Sequence, residues 1–168
     1  IPDTAMGYYV LNNDRVIVRT GGRLVVPVAL HNVPGQETPD WAGEITCYIS
    51  DDTGLTWKRS ATLQKAFSPQ GVRVVAQEPG ILELRGGRLM MWVRTDAGVQ
   101  YHSFSDDRGE HWSPLTPSAI ASPLSPASIK RLPGSGDLFL VWNDHTGISP
   151  ELSGRRTPLS VALSHDEG

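Results

Sequence analysis

Ser50-Asp51-Asp52-Thr53-Gly54-Leu55-Thr56-Trp57 decides how the rest of this chain is read. The stretch returns as Ser105-Asp106-Asp107-Arg108-Gly109-Glu110-His111-Trp112 and begins again as Ser164-His165-Asp166-Glu167-Gly168. The shared pattern is S-x-D-x-G, with a tryptophan completing the first two copies. From Ser50 to Ser105 is 55 residues, and from Ser105 to Ser164 is 59. A near-constant period of this size marks a repeated supersecondary unit. Each residue type suits a tight hairpin turn. Aspartate accepts backbone N–H groups across the turn, and glycine supplies positive φ. Serine satisfies a neighbouring backbone group, and tryptophan covers the turn. Asp52, Asp107 and Asp166 therefore read as scaffold residues and not as catalytic ones.

Working outward, 17 glycines and 13 prolines punctuate short runs rich in β-branched and aromatic residues, and helix signals are scarce. The first unit predicts strands over 14–20 and 23–31 about a Gly21-Gly22 turn. A polar loop over 32–42, a strand over 43–50 and a return over 56–63 complete it. The second unit predicts strands over 80–84, 88–94, 99–105 and 111–113. The third predicts strands over 127–132, 137–143 and 158–164, with a loop over 144–157. The expectation is an all-β chain of about three four-stranded blades of a propeller, over 14–63, 80–115 and 127–168, the last incomplete.

Composition narrows the function classes. With 168 residues, 39% hydrophobic and 20% charged, the chain is globular and long enough to bury a core. A net charge of −3 without blocks of like charge gives no pull toward nucleic acid or an anionic membrane. No apolar run is long enough to span a bilayer. Cys47 is the only cysteine, which excludes a disulfide within the chain and a cysteine-based metal site. It alternates with Ile45 and Ile49 and reads as a buried strand thiol. His31, His102, His111, His145 and His165 lack metal-ligand spacing. Ile1 begins without an initiator Met or signal pattern, and Gly168 falls inside the third turn. The chain is therefore expected to be a piece of a larger protein whose targeting signals lie elsewhere. Half a propeller leaves unpaired strand edges, so the piece alone is expected to self-associate.

The repeated turns resemble the Asp-boxes, or bacterial neuraminidase repeats, of the sialidase superfamily. Members fold as six-bladed β-propellers, with the boxes on the face away from the active site. A longer match is more specific. Gln77-Glu78-Pro79-Gly80-Ile81-Leu82-Glu83-Leu84-Arg85-Gly86-Gly87-Arg88-Leu89-Met90-Met91-Trp92-Val93-Arg94 resembles the sialidase segment in which a glutamate precedes E-L-x-x-G-R-L and an arginine closes the next strand. Gly22-Arg23-Leu24-Val25-Val26-Pro27 is similar to the preceding blade. The resemblance implies a retaining exo-α-sialidase-like glycosidase that releases terminal sialic acid without metal or organic cofactor. It assigns Glu78 to the partner of a tyrosine nucleophile and Arg94 to one of three arginines gripping the sialic acid carboxylate. Arg156 stands where the third arginine precedes its box, with Arg155 as the alternative counterpart. The resemblance places the tyrosine, the acid/base aspartate and the first of the three arginines outside residues 1–168, and Tyr8, Tyr9, Tyr48 and Tyr101 do not match the nucleophile.

The chemistry explains the residue types. Sialic acid carries a carboxylate on its anomeric carbon, which would repel a carboxylate nucleophile, so the enzymes use tyrosine. Tyrosine needs an adjacent base, and planar guanidinium groups match a carboxylate in two-pronged fashion. Read from residue type alone, Glu78 is a solvated residue before a Pro-Gly turn, and Arg94 is a surface arginine at a strand end. Trp41 either lines a sugar site or packs on its own blade, and Asn143-Asp144 reads as a turn former. Ser125-Pro126-Ala127-Ser128 resembles a segment common in bacterial members, without a chemical role visible in its residues. Two other readings stay open: a related glycosidase for another acidic sugar, and a non-catalytic carbohydrate- or protein-binding propeller. The expected partner is a sialylated or other acidic glycan, a substrate class that favours a secreted or periplasmic setting.

Overall fold

A computed structural model describes residues 6–167, and every regular element longer than a single turn is a strand. The first sheet orders β1 (Tyr8–Val10), β3 (Leu24–Asn32), β4 (Glu44–Ser50) and β5 (Lys58–Arg59), with β2 (Ile17–Val18) also paired to β3. A small hairpin of β6 (Ala66–Phe67) and β7 (Arg73–Val74) leads to the second sheet. There β8 (Ala76–Glu83), β9 (Leu89–Thr95), β10 (Val99–Ser105) and β11 (Thr116–Ala121) pair antiparallel in sequence order. The third sheet joins β12 (Ser128–Arg131), β13 (Leu138–Asn143) and β14 (Leu159–Ser164). No helix among the described residues is long and apolar enough to cross a membrane.

The sheets are stacked, and that explains the composition of their strands. Val25, Ala29, Ile45, Cys47 and Ile49 of the first sheet pack with Ile81, Leu89, Met91 and Val93 of the second. The other face of the second sheet sets Leu82 and Trp92 against Ala127, Ile129 and Leu138 of the third. A middle blade is covered on both faces, so Leu89-Met90-Met91-Trp92-Val93 is continuously apolar where a half-exposed strand would alternate. Cys47 is fully buried, and burial pushes its thiol pKa up. On β14 the alternation leaves Leu159, Val161 and Leu163 exposed.

Both complete turns have one geometry. Ser50 Oγ donates to Asp52 Oδ1 at 2.8 Å and accepts from Gly54 N at 2.8 Å, while Thr56 N donates to Asp52 Oδ1 at 2.9 Å. Ser105 Oγ, Asp107, Gly109 and His111 repeat this at 2.9, 2.8 and 2.9 Å. Trp57 and Trp112 each close the turn by donating Nε1 to the glycine carbonyl, at 3.0 and 3.1 Å. Two consecutive left-handed residues make the turn, Thr53 with Gly54 and Arg108 with Gly109, which is why glycine is needed. In the third copy Ser164 Oγ donates to Asp166 Oδ1 at 3.0 Å and Glu167 is left-handed. Gly168 lies outside the described residues.

Three expected strands are corrected, and of 14–20 only Ile17–Val18 pairs. Residues 111–113 form no strand, and the fourth strand of the second sheet is β11, further along. The turn first drives Trp112 into the core, where its N–H donates to Thr62 Oγ1, and then seats Leu115. Between them Ser113 N donates to the Phe104 carbonyl of β10 at 2.8 Å, and continuous pairing with β10 begins only at Thr116. Of the 56–63 return only Lys58–Arg59 pairs as a strand, with an isolated bridge to Ile45 of β4 following at Gln64. Charged locks then join neighbouring blades at this end. Arg23, 7% exposed, binds Asp51 with two nitrogens at 2.6 and 2.8 Å and reaches Glu110 at 2.9 Å.

Candidate functional site

The second sheet carries a defect at the end opposite the turns. Gln77 pairs with Arg94 and Gly80 with Trp92, so β8 has one residue more than β9 between those rungs. Glu78 sits in this bulge with φ 49. Left-handed backbone is strained for a non-glycine residue, and the proline that follows disfavours helical conformations further. Such strain costs about 1–3 kcal/mol and accumulates at functional sites, where a bulge re-aims a side chain. Here the re-aimed carboxylate meets its neighbour across the ladder: Glu78 Oε1 lies 3.0 Å from Arg94 Nη1. The two side chains are 23% and 13% exposed. Glu78 Oε2 and Arg94 Nε are buried without a hydrogen-bond partner, so the pair retains unused bonding capacity. Leu89 of the same strand pairs with Ser105 at the turn end. Arg94, five residues on, is about 17 Å away at the usual strand rise.

Arg15, which the sequence did not single out, joins this end from the first blade. It lies between β1 and β2 and is 4% exposed. Arg15 Nη2 donates to the Ala127 carbonyl at 2.7 Å, and its guanidinium carbon lies 5.3 Å from the Trp92 ring centroid. Trp92 Nε1 donates to the same carbonyl at 2.9 Å, so the segment 125–128 acts as a backbone acceptor that seats both side chains. Burial pushes the Arg15 pKa down, while the charges of Glu78 and Asp14 push it back up. Gly80 makes the approach feasible. A Cβ there would stand 2.3 and 2.4 Å from Trp92 ring atoms and 2.9 Å from Arg15 Nη1.

The other sequence candidates fall into place around this cluster or away from it. Trp41 is 58% exposed, edge-on to Tyr8 at 6.4 Å and tilted on His31 at 5.6 Å. Its carbonyl accepts from Gln77 Nε2 at 2.6 Å, which brings the 32–42 loop beside the residue preceding Glu78. Arg156 is exposed in the loop before β14 and makes no ion pair or hydrogen bond with Glu78 or Arg94. Asp144 Oδ1 accepts from Thr146 N at 2.8 Å, the bond of a turn former. Among the described residues no group of three or more His, Cys, Asp and Glu is placed to hold a metal ion.

A larger cleft of about 780 Å³ opens at the turn end, lined by Arg19, Glu83, Arg85 and Arg131 among others. Three of its four arginines are engaged. Arg19 binds Glu83 at 2.7 Å, Arg85 donates to the carbonyls of His165 and Gly136, and Arg131 pairs with Glu167. Volume alone does not make a site; buried unpartnered atoms occur at Arg19 and elsewhere too, but Glu78, Arg94 and Arg15 bring a carboxylate and two guanidinium groups with such atoms to one place. A carboxylate and two guanidinium groups in a partly dry setting can take a proton from a neighbouring hydroxyl and hold an anion.

A profile of the BNR repeat-like domain family matches residues 5–168. No curated protein matches the chain in sequence. Among solved structures, the sialidase of Trypanosoma rangeli in complex with 2,3-difluorosialic acid has a TM-score of 0.64 at 20% identity, over 89% of this chain and 22% of that one. A mutant of NanB sialidase from Streptococcus pneumoniae has a TM-score of 0.60 at 23% identity, over 88% and 20%. A protein of unknown function from Dyadobacter fermentans has 0.55 at 23%, over 75% and 32%. The chain thus spans between a fifth and a third of the length of these structures. At such identities the likeness is one of fold, the sialidase-type β-propeller.

Proposed function

This chain belongs to the BNR repeat-like domain family, and from that premise we propose that the full-length protein is a retaining exo-glycosidase releasing terminal sialic acid from glycoconjugates. The observation that carries the reading is the Glu78–Arg94 ion pair, built at a strained bulge on the end away from the S-x-D-x-G turns. In this account Glu78 accepts the proton of a tyrosine supplied from outside residues 1–168. The tyrosine oxygen attacks the anomeric carbon as the glycosidic C–O bond breaks, and an aspartic acid, also from outside this stretch, protonates the leaving oxygen. Water then reverses the sequence at the glycosyl-enzyme. Arg94 shares its guanidinium between Glu78 and the substrate carboxylate. Arg156, exposed in the loop before β14, is assigned to the same carboxylate by the family resemblance alone.

The experiment is hydrolysis of a fluorogenic sialoside by the full-length protein. Glu78→Gln is expected to lower kcat about a hundredfold or more, the ordinary scale of a lost general base. Arg94→Ala is expected to raise KM strongly. A full-length protein that turns over uronides but no sialoside sinks the sialic acid reading.

A further inference from the structure

The fourth residue of the S-x-D-x-G turn changes charge from copy to copy. Thr53, Arg108 and Glu167 occupy it, all in left-handed backbone with φ 60, 63 and 75. In the third copy the position is a carboxylate lock onto the preceding blade: Glu167 accepts the Arg85 N–H at 3.0 and 2.9 Å and pairs with Arg131. In the second copy the same position brings Arg108 to the first blade, where it lines the cleft of about 780 Å³ with Arg19 and Thr20. The carboxylate at that junction is Glu83 instead, which accepts from Thr20 N at 2.9 Å and binds Arg19 at 2.7 Å. Arg108 is thus a cation where the third repeat holds an anion. Its side chain is exposed and makes no ion pair or hydrogen bond among the described residues.

The cleft holds more positive charge than it balances. Arg19, Arg85, Arg108 and Arg131 meet two carboxylates, Glu83 and Glu167, an excess of two charges. Asp51 and Asp137, which act on Arg108 and Arg85, are themselves held, by Arg23 at 2.6 Å and by His165 at 3.0 Å. Arg85 spends its terminal nitrogens on neutral carbonyls, those of His165 and Gly136, at 2.9 and 3.2 Å. Arg19 is 7% exposed and bonds through Nη2 alone, while its Nε is buried without a partner. The wall beside Arg85 is open, since a Cβ on Gly86 would meet nothing within 4 Å. Guanidinium forks match phosphate oxygens, and several hundred Å³ exceeds what a lone ion needs.

We propose that this cleft, at the end of the sheets away from Glu78 and Arg94, is a second binding site, for a dianionic phosphate group, free or as a monoester, held among Arg108, Arg85 and Arg19. Above a second pKa of about 6 such a group carries nearly two negative charges, which matches the excess. The proposal does not depend on the role of Glu78.

The test is isothermal titration of the full-length protein at about pH 7.5, where the group is doubly ionised. The probes are glucose 6-phosphate, inorganic phosphate, the singly charged glucose 6-sulfate, and glucose. Both phosphates are expected to bind, with the sulfate ester about tenfold weaker and glucose silent. Arg108→Gln should weaken glucose 6-phosphate about tenfold or more. Arg59→Gln removes the same charge from exposed β5 outside the cleft and should keep wild-type affinity. Arg108→Glu places there the carboxylate that the third repeat carries and should abolish binding. The urea midpoint of each variant reports that it is folded. Equal affinity for both phosphates supports the site with the free ion as its ligand, and tighter binding of the ester supports it with a phosphorylated compound. Wild-type affinity in Arg108→Gln, equal losses in Arg108→Gln and Arg59→Gln, a sulfate ester bound as tightly as the phosphate, or no binding of either phosphate overturns the proposal.

Discussion

Replacing Gly80 by alanine tests the local architecture of the site with a single methyl group. The added Cβ would meet Trp92 Cζ2 at 2.3 Å, Cε2 at 2.4 Å and Arg15 Nη1 at 2.9 Å, all closer than ordinary contact. Trp92 is 3% exposed and wedged against Leu82, Ala127, Ile129 and Leu138, so the ring has little room to retreat. Overpacking of this kind costs about 1–3 kcal/mol. Urea denaturation should show it as a lower midpoint at an unchanged slope. Trimming the indole removes the offending atoms, so Gly80→Ala combined with Trp92→Phe should be less destabilised than the sum of the single changes, by about 1 kcal/mol. Full stability in Gly80→Ala, or strictly additive single changes, would refute the close approach of Gly80, Trp92 and Arg15.

Three further outcomes follow from the scaffold. Ser105→Ala leaves the buried Gly109 N–H without its acceptor and should cost about 1–3 kcal/mol in a urea melt. Asp52 is held at about 2 by hydrogen bonds from Thr56 and Ser50; at Asp107 burial acts upward but is outweighed by bonds from His111 and Ser105, leaving it also at about 2. Both bind a proton less readily folded than unfolded, so their stabilisation is complete above about pH 4 and is lost as pH falls toward 2. An acid titration followed by circular dichroism should show that loss, flattened in Asp52→Asn. Residues 1–168 alone should associate through the exposed Leu159, Val161 and Leu163 row, and Val161→Lys should shift sedimentation toward monomer.

The sequence revealed repetition more readily than proximity. The S-x-D-x-G turns, the β13 and β14 strands and the continuous apolar run of β9 were legible because they depend on residues close in the chain. β11 was displaced because Trp112 and Leu115 must enter the core first, a demand set by the neighbouring blade. Glu78 read as a loop residue before Pro79-Gly80, whereas it occupies a bulge inside β8, since pairing with β9 overrides the proline. Arg15 follows Asn12-Asn13-Asp14 and looks like surface. Its burial depends on Trp92 and on a carbonyl 112 residues away, and no local pattern announces that.

The most direct measurement of the central claim is a proton NMR time course of the full-length protein acting on an α-sialoside. A retaining enzyme built around Glu78 and Arg94 releases α-sialic acid first, with the β form growing in only through mutarotation, and Glu78→Gln suppresses both. First appearance of the β anomer, or wild-type release by Glu78→Gln, contradicts the account.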